Sequence, residues 1–234
     1  MYWLSYGGGV NSTALAILMI QGKLPQYDPW RIVFSDTGCE RDETYAYIRD
    51  VWIPYLEANG KTLEIVKPMV SVMVRWENQH NTGNRFHKDC SREAKRRVIR
   101  SHIERNGGGE QLIGFDIGEA HRATHGQIYP LVDLGVDRLD CDMIIREAGL
   151  PSPGKSGCWC CPHSRVGDVI RLVKEHPCRA DRIERLEQAA NQFHGGNHYQ
   201  FQYGPIAYWR DRACQQDLFI PEADPDMPCD CYDG

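Results

Sequence analysis

The segment SYGGGVNST, residues 5–13, decides the fold that this sequence predicts. It follows a stretch that favours a β-strand, Tyr2–Tyr6, and opens a stretch that favours a helix, 12–20. A glycine-rich turn between a first strand and a first helix lets backbone N–H groups and the positive end of the helix dipole hold phosphate oxygens. Taken alone, the segment fits a phosphate-binding loop and an ordinary tight turn with a serine cap equally well.

The same alternation of strand and helix continues along the chain. Predicted strands at 31–35, 62–67 and 111–115 alternate with predicted helices at 43–58, 70–76 and 91–104. This rhythm predicts an α/β fold, a doubly wound parallel sheet with a mostly helical C-terminal extension. The expected units are a nucleotide-binding α/β domain at 1–135, a cysteine-rich helical extension at 136–220 and an acidic flexible tail at 221–234.

The composition is that of an ordinary globular protein. Hydrophobic residues make up 41% and charged residues 25% of the 234 residues, and no apolar run approaches the roughly 20 residues of a bilayer span. The first residues do not resemble a signal peptide, so we expect a cytoplasmic protein without a membrane partner. In that reducing compartment the ten cysteines favour metal binding or redox chemistry over disulfides.

Four motifs, taken together, resemble elements of a known family. Residues 5–13 resemble the Ser-Gly-Gly-x-Asp-Ser loop of PP-loop enzymes, with Gly7 in place of serine and Asn11 in place of aspartate. Residues 36–44, DTGCERDET, resemble the Asp-Thr-Gly-x-x-x-x-Glu-Thr element of PAPS reductases. CSREAK at 90–95 and GFDIGEAHR at 114–122 resemble two further elements. The chain thus looks like a PAPS reductase-like PP-loop protein of the adenine nucleotide alpha-hydrolase-like superfamily.

The resemblance implies a site for an adenine nucleotide, either ATP or APS/PAPS. The implied binding residues are Ser5, Gly7, Gly8, Gly9, Asn11, Ser12, Thr13, Asp36, Thr37, Gly38, Lys95, Gly114 and Arg122. Lysine and arginine suit phosphate or sulfate oxygens, lysine as a point charge and arginine through bidentate hydrogen bonds. Catalytic roles are implied for Asp36, Asn11 and Arg122, with Mg²⁺ as a candidate cofactor.

A cluster of cysteines follows in the second half of the chain. Residues 156–163, SGCWCCPH, contain a Cys-x-x-Cys pair, the spacing at which a tight turn directs two thiolates at one metal. By resemblance to adenylylsulfate reductases of the family, Cys90, Cys158 and Cys161 are the implied ligands of a [4Fe–4S] cluster. Ser91 stands where those enzymes have a further cysteine.

The number of metal ligands stays open at this point. Three thiolates leave one iron free to bind hydrosulfide or substrate, the arrangement of tRNA thiolation enzymes in the superfamily, unless Cys160 or Cys141 is a fourth ligand. The alternative is structural zinc held by the three cysteines and either His163 or Cys160, since thiolates bind both metals.

ATP-dependent sulfur insertion is the leading functional hypothesis. The enzyme, an adenylating sulfurtransferase, would adenylate a substrate oxygen with release of pyrophosphate, and sulfur delivered by the cluster would displace AMP. Its partners would be an adenine nucleotide, a sulfur donor and an acceptor such as tRNA or DNA, because residues 85–105 hold eight Lys or Arg and three acids. A homodimer is a candidate assembly.

Two other classes of function are kept as alternatives. The first is an APS/PAPS (sulfonucleotide) reductase that uses a thiol reductant, but the Glu-Cys-Gly-Leu-His type sequence of its nucleophilic cysteine is absent. The tail thiols Cys229 and Cys231 have acidic neighbours, which raise a thiol pKa and disfavour the nucleophilic thiolate. The second is a non-catalytic nucleotide or nucleic-acid binding module with structural zinc.

Overall fold

The computed structural model describes residues 1–83 and 89–215 of the chain. Within these residues, four strands form one sheet in which neighbouring strands are parallel. They are β1 (Tyr2–Tyr6), β2 (Trp30–Ser35), β3 (Leu63–Val66) and β4 (Glu110–Ile113), and they lie in the order β3-β2-β1-β4. The chain moves outward from β1 to β3 and then returns to the other side of β1, as in a doubly wound sheet.

Helices connect the strands and continue beyond the sheet. Between the strands lie α1 (Val10–Ile20), α2 (Asp42–Tyr47), α3 (Ile53–Ala58), α4 (Val72–Asn78), α5 (Asp89–Ser91) and α6 (Arg97–Arg105). After β4 follow α7 (Pro130–Asp133), α8 (Arg138–Glu147), α9 (Val166–Glu175), α10 (Pro177–His194) and α11 (Ile206–Gln215). Two π-helical segments, Ile48–Trp52 and Arg92–Arg96, join α2 to α3 and α5 to α6. The helices predicted at 43–58 and 91–104 therefore exist, each with a π insertion.

Both faces of the sheet are covered. Along β1, Leu4 and Tyr6 belong to the main core with α1, whereas Trp3 packs with Ile99 and Ile103 of α6. Successive side chains of a strand point to opposite faces, so α1 and α6 lie on opposite sides of the sheet. The predicted α/β doubly wound architecture is confirmed.

The helices after β4 divide between two cores. Helix α8 packs on α1, and its Cys141 and Ile145 are buried in the main core. Helices α9, α10 and α11 form a second core with α4, in which Ile183 and Trp209 are buried. The predicted domain boundary at residue 135 places α8 in the extension, but the apolar side chains that α8 presents to α1 join it to the α/β layers.

The end of the described chain contains a helix that the sequence does not predict. The segment before α11 is rich in glycine, histidine and tyrosine and shows no clear hydrophobic periodicity. The predicted acidic tail, 221–234, lies outside the described residues. In the ranges that the structure covers, none of the helices combines the length and apolar character needed to span a bilayer.

Candidate active site at the carboxyl edge of the sheet

The loop at residues 5–13 connects β1 to α1. Gly9 precedes the helix with an extended backbone, and no side chain in the described part of the chain caps the first turn of α1. The hydroxyls of Ser12 and Thr13 donate to the carbonyl of Gly9 over 3.1 and 2.9 Å and so fasten the turn. Gly8 has φ +75°, a conformation that favours glycine. The loop thus leaves the positive end of an 11-residue helix open to an anion.

Three more of the predicted nucleotide-binding residues shape this loop. The backbone N–H of Gly7 donates to the Ser12 hydroxyl over 3.2 Å, and the Ser5 hydroxyl on β1 accepts from Gln111 on β4. A Cβ at Gly114 would lie 2.7 Å from the Cα of Ser12. The end of β4 therefore lies directly against the first turn of α1, and only glycine fits there.

Asn11 lies in the first turn of α1, at the point where the strand order reverses between β1 and β4. Its amide nitrogen donates to Asp116 over 2.9 Å and to Glu119 over 2.8 Å. Its amide oxygen accepts from Arg138 of α8 over 3.0 Å. Ligands of open α/β sheets bind at such a switch point. Asn11 holds this polar group together, and its catalytic role remains a prediction.

Arg122 and Glu119 form a buried ion pair beside Asn11. Arg122 donates to Glu119, and its guanidinium lies 4.7 Å from the ring centroid of Phe115. Burial raises the pKa of Glu119, Arg122 opposes this, and the neighbouring Asp116 adds to the increase, so the net shift is upward. The predicted contact of Arg122 with a nucleotide remains a prediction, and within the protein Arg122 pairs with Glu119.

Asp36 follows β2 and is ionised at neutral pH. Its carboxylate accepts from the backbone N–H of Gly38 over 2.9 Å and from the Tyr45 hydroxyl, and it pairs with Lys67 over 3.1 Å. Burial alone would raise the pKa of Asp36, but these three partners outweigh it and lower the pKa. Gly38 has φ +72°, and a Cβ there would lie 2.7 Å from the Cβ of Ser71. The Asp-Thr-Gly turn is therefore rigidly held.

The cysteine segment, residues 156–163, pairs with the loop that follows β2. Glu40 and Cys158 form an antiparallel bridge, and the backbone N–H of Arg41 donates to the Gly157 carbonyl over 2.9 Å. The Cys158 Sγ lies 3.3 Å from the Oγ1 of Thr37. Backbone pairing thus carries the Cys-x-x-Cys pair to the carboxyl edge of the sheet, beside the Asp-Thr-Gly turn.

An ion cluster fastens the same segment to α9. Asp168 accepts from Arg41 over 2.8 Å and from Lys155 over 3.0 Å, and all three side chains are largely buried. Burial alone would raise the pKa of Asp168, but the hydrogen bonds and charges of the two cations outweigh it and hold the pKa well below its usual range. These ion pairs therefore connect α9 to the loop after β2 and to Lys155, which directly precedes the cysteine segment.

The three cysteines predicted to bind metal line one cavity. Cys90 comes from α5, and Cys158 and Cys161 come from the cysteine segment. The rest of the wall is formed by Thr37, Val72, Trp76, Ser91, Lys95 and Pro162. The fold therefore brings together thiols from two segments that are distant in the sequence.

Burial is the main influence on the pKa of each thiol in this cavity. It raises the pKa of Cys90 and Cys158, and it raises the pKa of Cys161 to about 11, while Lys95 opposes the increase at each. Lys95 itself pairs with the buried Glu40 over 3.1 Å. Burial disfavours the charge of Lys95, but Glu40 and the nearby thiols outweigh it and raise the lysine pKa. Lys95 therefore lies charged beside the thiols.

The cysteines considered as a fourth ligand lie in other surroundings. The buried thiols of Cys160 and Cys39 share a hydrogen bond within the second core. Cys141 is buried in the main core on α8. Ser91, next to Cys90, is 4% exposed, and its Oγ has no hydrogen-bond partner in the part of the chain described.

The phosphate loop and the cysteine segment meet at Ser156. A Cβ at Gly9 would lie 2.8 Å from the Ser156 Oγ, and a Cβ at Gly8 would lie 2.8 Å from the Cγ2 of Thr44. Ser156 precedes Cys158 by two residues. The loop and the thiol cavity are thus neighbours at one edge of the sheet, although the cavity itself is lined by other residues.

Sequence reasoning missed several polar residues of this region, of which Glu40, Asp116 and Glu119 are buried. These three lie inside quoted motifs, and that position is the signal that could have found them. Ser156 lies at the start of the quoted segment 156–163, but Asp168 gives no local signal, because its role arises from contacts with Arg41 and Lys155. Within residues 1–83 and 89–215, no three His, Cys, Asp or Glu side chains form a group suited to a single metal ion.

Comparisons with known proteins give structural matches only. No protein-family model matches the chain, and no curated protein is similar to it in sequence. It is similar to phosphoadenylyl-sulfate (PAPS) reductase from Candida auris in complex with phosphate, with 19% identity and a TM-score of 0.49 over 68% of this chain and 81% of that chain. It is also similar to the U34-tRNA thiolase NcsA from Methanococcus maripaludis with its [4Fe-4S] cluster, with 14% identity and a TM-score of 0.46 over 90% of this chain and 80% of that chain. Both similarities are in structure, at low sequence identity.

Proposed function

We propose that this chain is an adenylating enzyme that binds ATP at the phosphate loop and carries a [4Fe–4S] cluster on Cys90, Cys158 and Cys161. Its reaction would be ATP-dependent sulfur insertion into an acceptor. The observation that carries the proposal is the position of the three thiols, which line one cavity at the sheet edge where the phosphate loop lies. Nucleotide and sulfur chemistry would then meet within one site.

The phosphate loop would hold the nucleotide through its backbone. The N–H groups of Gly8 and Gly9 and the positive end of α1 suit the phosphate oxygens of ATP. Thr44 and Ser156 lie close to these glycines and would exclude water from one side of the loop. Asn11 would keep Arg138 beside the phosphates without adding a third carboxylate to the site.

The donor set of the thiol cavity fits an iron–sulfur cluster. Cysteine thiolates are the usual ligands of such clusters, and three cysteines line this cavity. Cys90, Cys158 and Cys161 would hold it, and when bound it would supply an iron that can take up sulfur. Lys95 would favour the thiolate forms of these ligands by its charge, and Glu40 would keep Lys95 in place.

The acceptor would be a nucleic acid. Helix α6 and the π-helical segment before it expose Arg92, Arg97 and Arg100, and this stretch begins directly after Cys90 and Ser91 of the cavity wall. Arginines on one surface neutralise phosphates of a nucleic-acid backbone, and such binding weakens steeply as salt rises. Of the predicted basic segment 85–105, residues 85–88 lie outside the described part of the chain.

Metal analysis of protein purified without oxygen tests the proposal. We expect about four irons and four acid-labile sulfides per chain, with a brown colour, as the composition of the cluster requires. If the chain is instead a sulfonucleotide reductase, incubation with APS or PAPS and a thiol donor should yield sulfite. A colourless protein with one zinc and no iron would contradict sulfur insertion and favour the non-catalytic binding module.

A further inference from the structure

The hydroxyl of Ser91 stands out among the polar groups of the thiol cavity. Its Oγ is buried, and no atom within the described ranges forms a hydrogen bond with it. A buried hydroxyl without a partner loses its hydrogen bonds to water and normally costs stability. Ser91 lines the same cavity as Cys90, Cys158 and Cys161. The hydroxyl therefore lies where a bound group could complete its hydrogen bonding.

No fourth cysteine competes for this place in the described part of the chain. Cys160 is engaged with Cys39 in the second core, and Cys141 lies on α8 in the main core. The cavity wall thus offers three thiols and two neutral hydroxyls, and of the hydroxyls that of Thr37 already donates to Glu40 over 2.9 Å. The remaining hydroxyl can donate one hydrogen bond, which a cysteine thiolate cannot.

We propose that Ser91 is a positioning residue at the corner of the cluster that no cysteine holds. Its hydroxyl donates a hydrogen bond to the sulfur species bound there, such as hydrosulfide. This inference rests on the proposed function, because it requires a cluster on the three thiols. Its consequence is that the residue at position 91 sets whether the fourth iron is open to sulfur or closed by protein.

Substitution by cysteine tests the position of Ser91. The cluster is reconstituted anaerobically in wild type, Ser91→Cys and Ser101→Cys, and each is then oxidised with ferricyanide. Wild type and Ser101→Cys should lose one iron and give the paramagnetic signal of a [3Fe–4S] cluster, because one iron lacks a protein ligand. Ser91→Cys should keep four irons and give no such signal. Ser101 lies on α6 outside the cavity, so its variant controls for an added thiol.

Substitution by alanine tests the hydrogen bond. Ser91→Ala should still bind the cluster and lose one iron on oxidation, but it should bind hydrosulfide about tenfold more weakly in spectroscopic titrations, as expected for loss of a hydrogen bond to a charged group. Urea unfolding of each variant shows whether the fold is retained.

The outcomes separate this inference from the proposed function. If wild type holds a four-iron cluster but folded Ser91→Cys loses iron as readily, Ser91 does not face the fourth corner. Equal hydrosulfide affinity of wild type and Ser91→Ala would overturn the hydrogen bond. A wild-type protein that takes up no iron would overturn the proposed function, and this inference with it.

Discussion

The amide nitrogen of Asn11 donates a hydrogen bond to the carboxylate of Glu119 over 2.8 Å. The same nitrogen donates to Asp116, while the amide oxygen accepts from Arg138. Only this orientation of the amide satisfies all three partners, since carboxylates accept and a guanidinium donates. An aspartate at position 11 would instead place a third carboxylate against these two.

Replacing Asn11 by aspartate should therefore destabilise the protein. We expect Asn11→Asp to lose about 1–3 kcal/mol of unfolding free energy at pH 7, because two hydrogen bonds become repulsive contacts in a buried site. Like charges raise the folded-state pKa of an acid, so the loss should shrink as the pH falls toward about 4. Urea unfolding measures this, with Asn81→Asp at an exposed position after α4 as control. Equal stability of Asn11→Asp and wild type would contradict the arrangement.

The contribution of Asp168 to the free energy of unfolding should be lost in acid. Its pKa is lowered in the folded state, so its contribution is complete above the usual carboxyl pKa of about 4 and is lost as the pH falls below that value. Asp168→Asn should cost about 3 kcal/mol at neutral pH, because Arg41 and Lys155 keep buried charges without a counterion. The difference in unfolding free energy between Asp168→Asn and wild type should become smaller below pH 4.

The control for Asp168 is an exposed ion pair. Asp50 pairs with Arg49 over 2.7 Å on the surface, and such pairs contribute little. Asp50→Asn should thus unfold like wild type at each pH. A variant Asp168→Asn that does the same would show that the ion cluster does not fasten the cysteine segment.

Gly114 should be required for both the fold and nucleotide binding. In Gly114→Ala the new methyl would lie 2.7 Å from the Cα and 2.8 Å from the backbone nitrogen of Ser12, and backbone cannot move aside as a side chain can. We expect a loss of about 1–3 kcal/mol of stability, as for other overpacked sites. Calorimetry should show weaker ATP binding, because α1 and its phosphate loop are displaced.

Gly154 provides the matched control for this glycine. It lies on the loop before the cysteines, and a Cβ there would meet no atom within 4 Å. Gly154→Ala should bind ATP as wild type does. If Gly114→Ala also binds ATP normally, the loop described here is not the nucleotide site.

Much of the fold follows from local sequence patterns. The strands β1 to β4 lie within two residues of the predicted positions, because buried parallel strands are short apolar runs between turn residues. The phosphate loop follows from its glycines in the same way. The helix α11 could have been found from Ile206, Trp209 and Ala213, which recur at helical spacing and are buried.

The partners within the site could not be predicted in this way. The contact of Lys95 with a nucleotide phosphate, which its motif implies, remains a prediction, and its pairing with Glu40 beside the thiols is not evident from the sequence. Gly9 and Ser156 are distant in the sequence, and their contact depends on how the cysteine segment pairs with the loop after β2. Local propensity carries no information about such long-range contacts.

Single cysteine variants, compared after anaerobic cluster reconstitution, test whether Cys90, Cys158 and Cys161 hold one cluster. Cys90→Ala, Cys158→Ala and Cys161→Ala should each lose most of the iron and the visible absorption of wild type, because each removes one of three ligands. Cys178→Ala, at an exposed position on α10, should retain both. If all four variants bind iron as wild type does, the three thiols do not form a common cluster site.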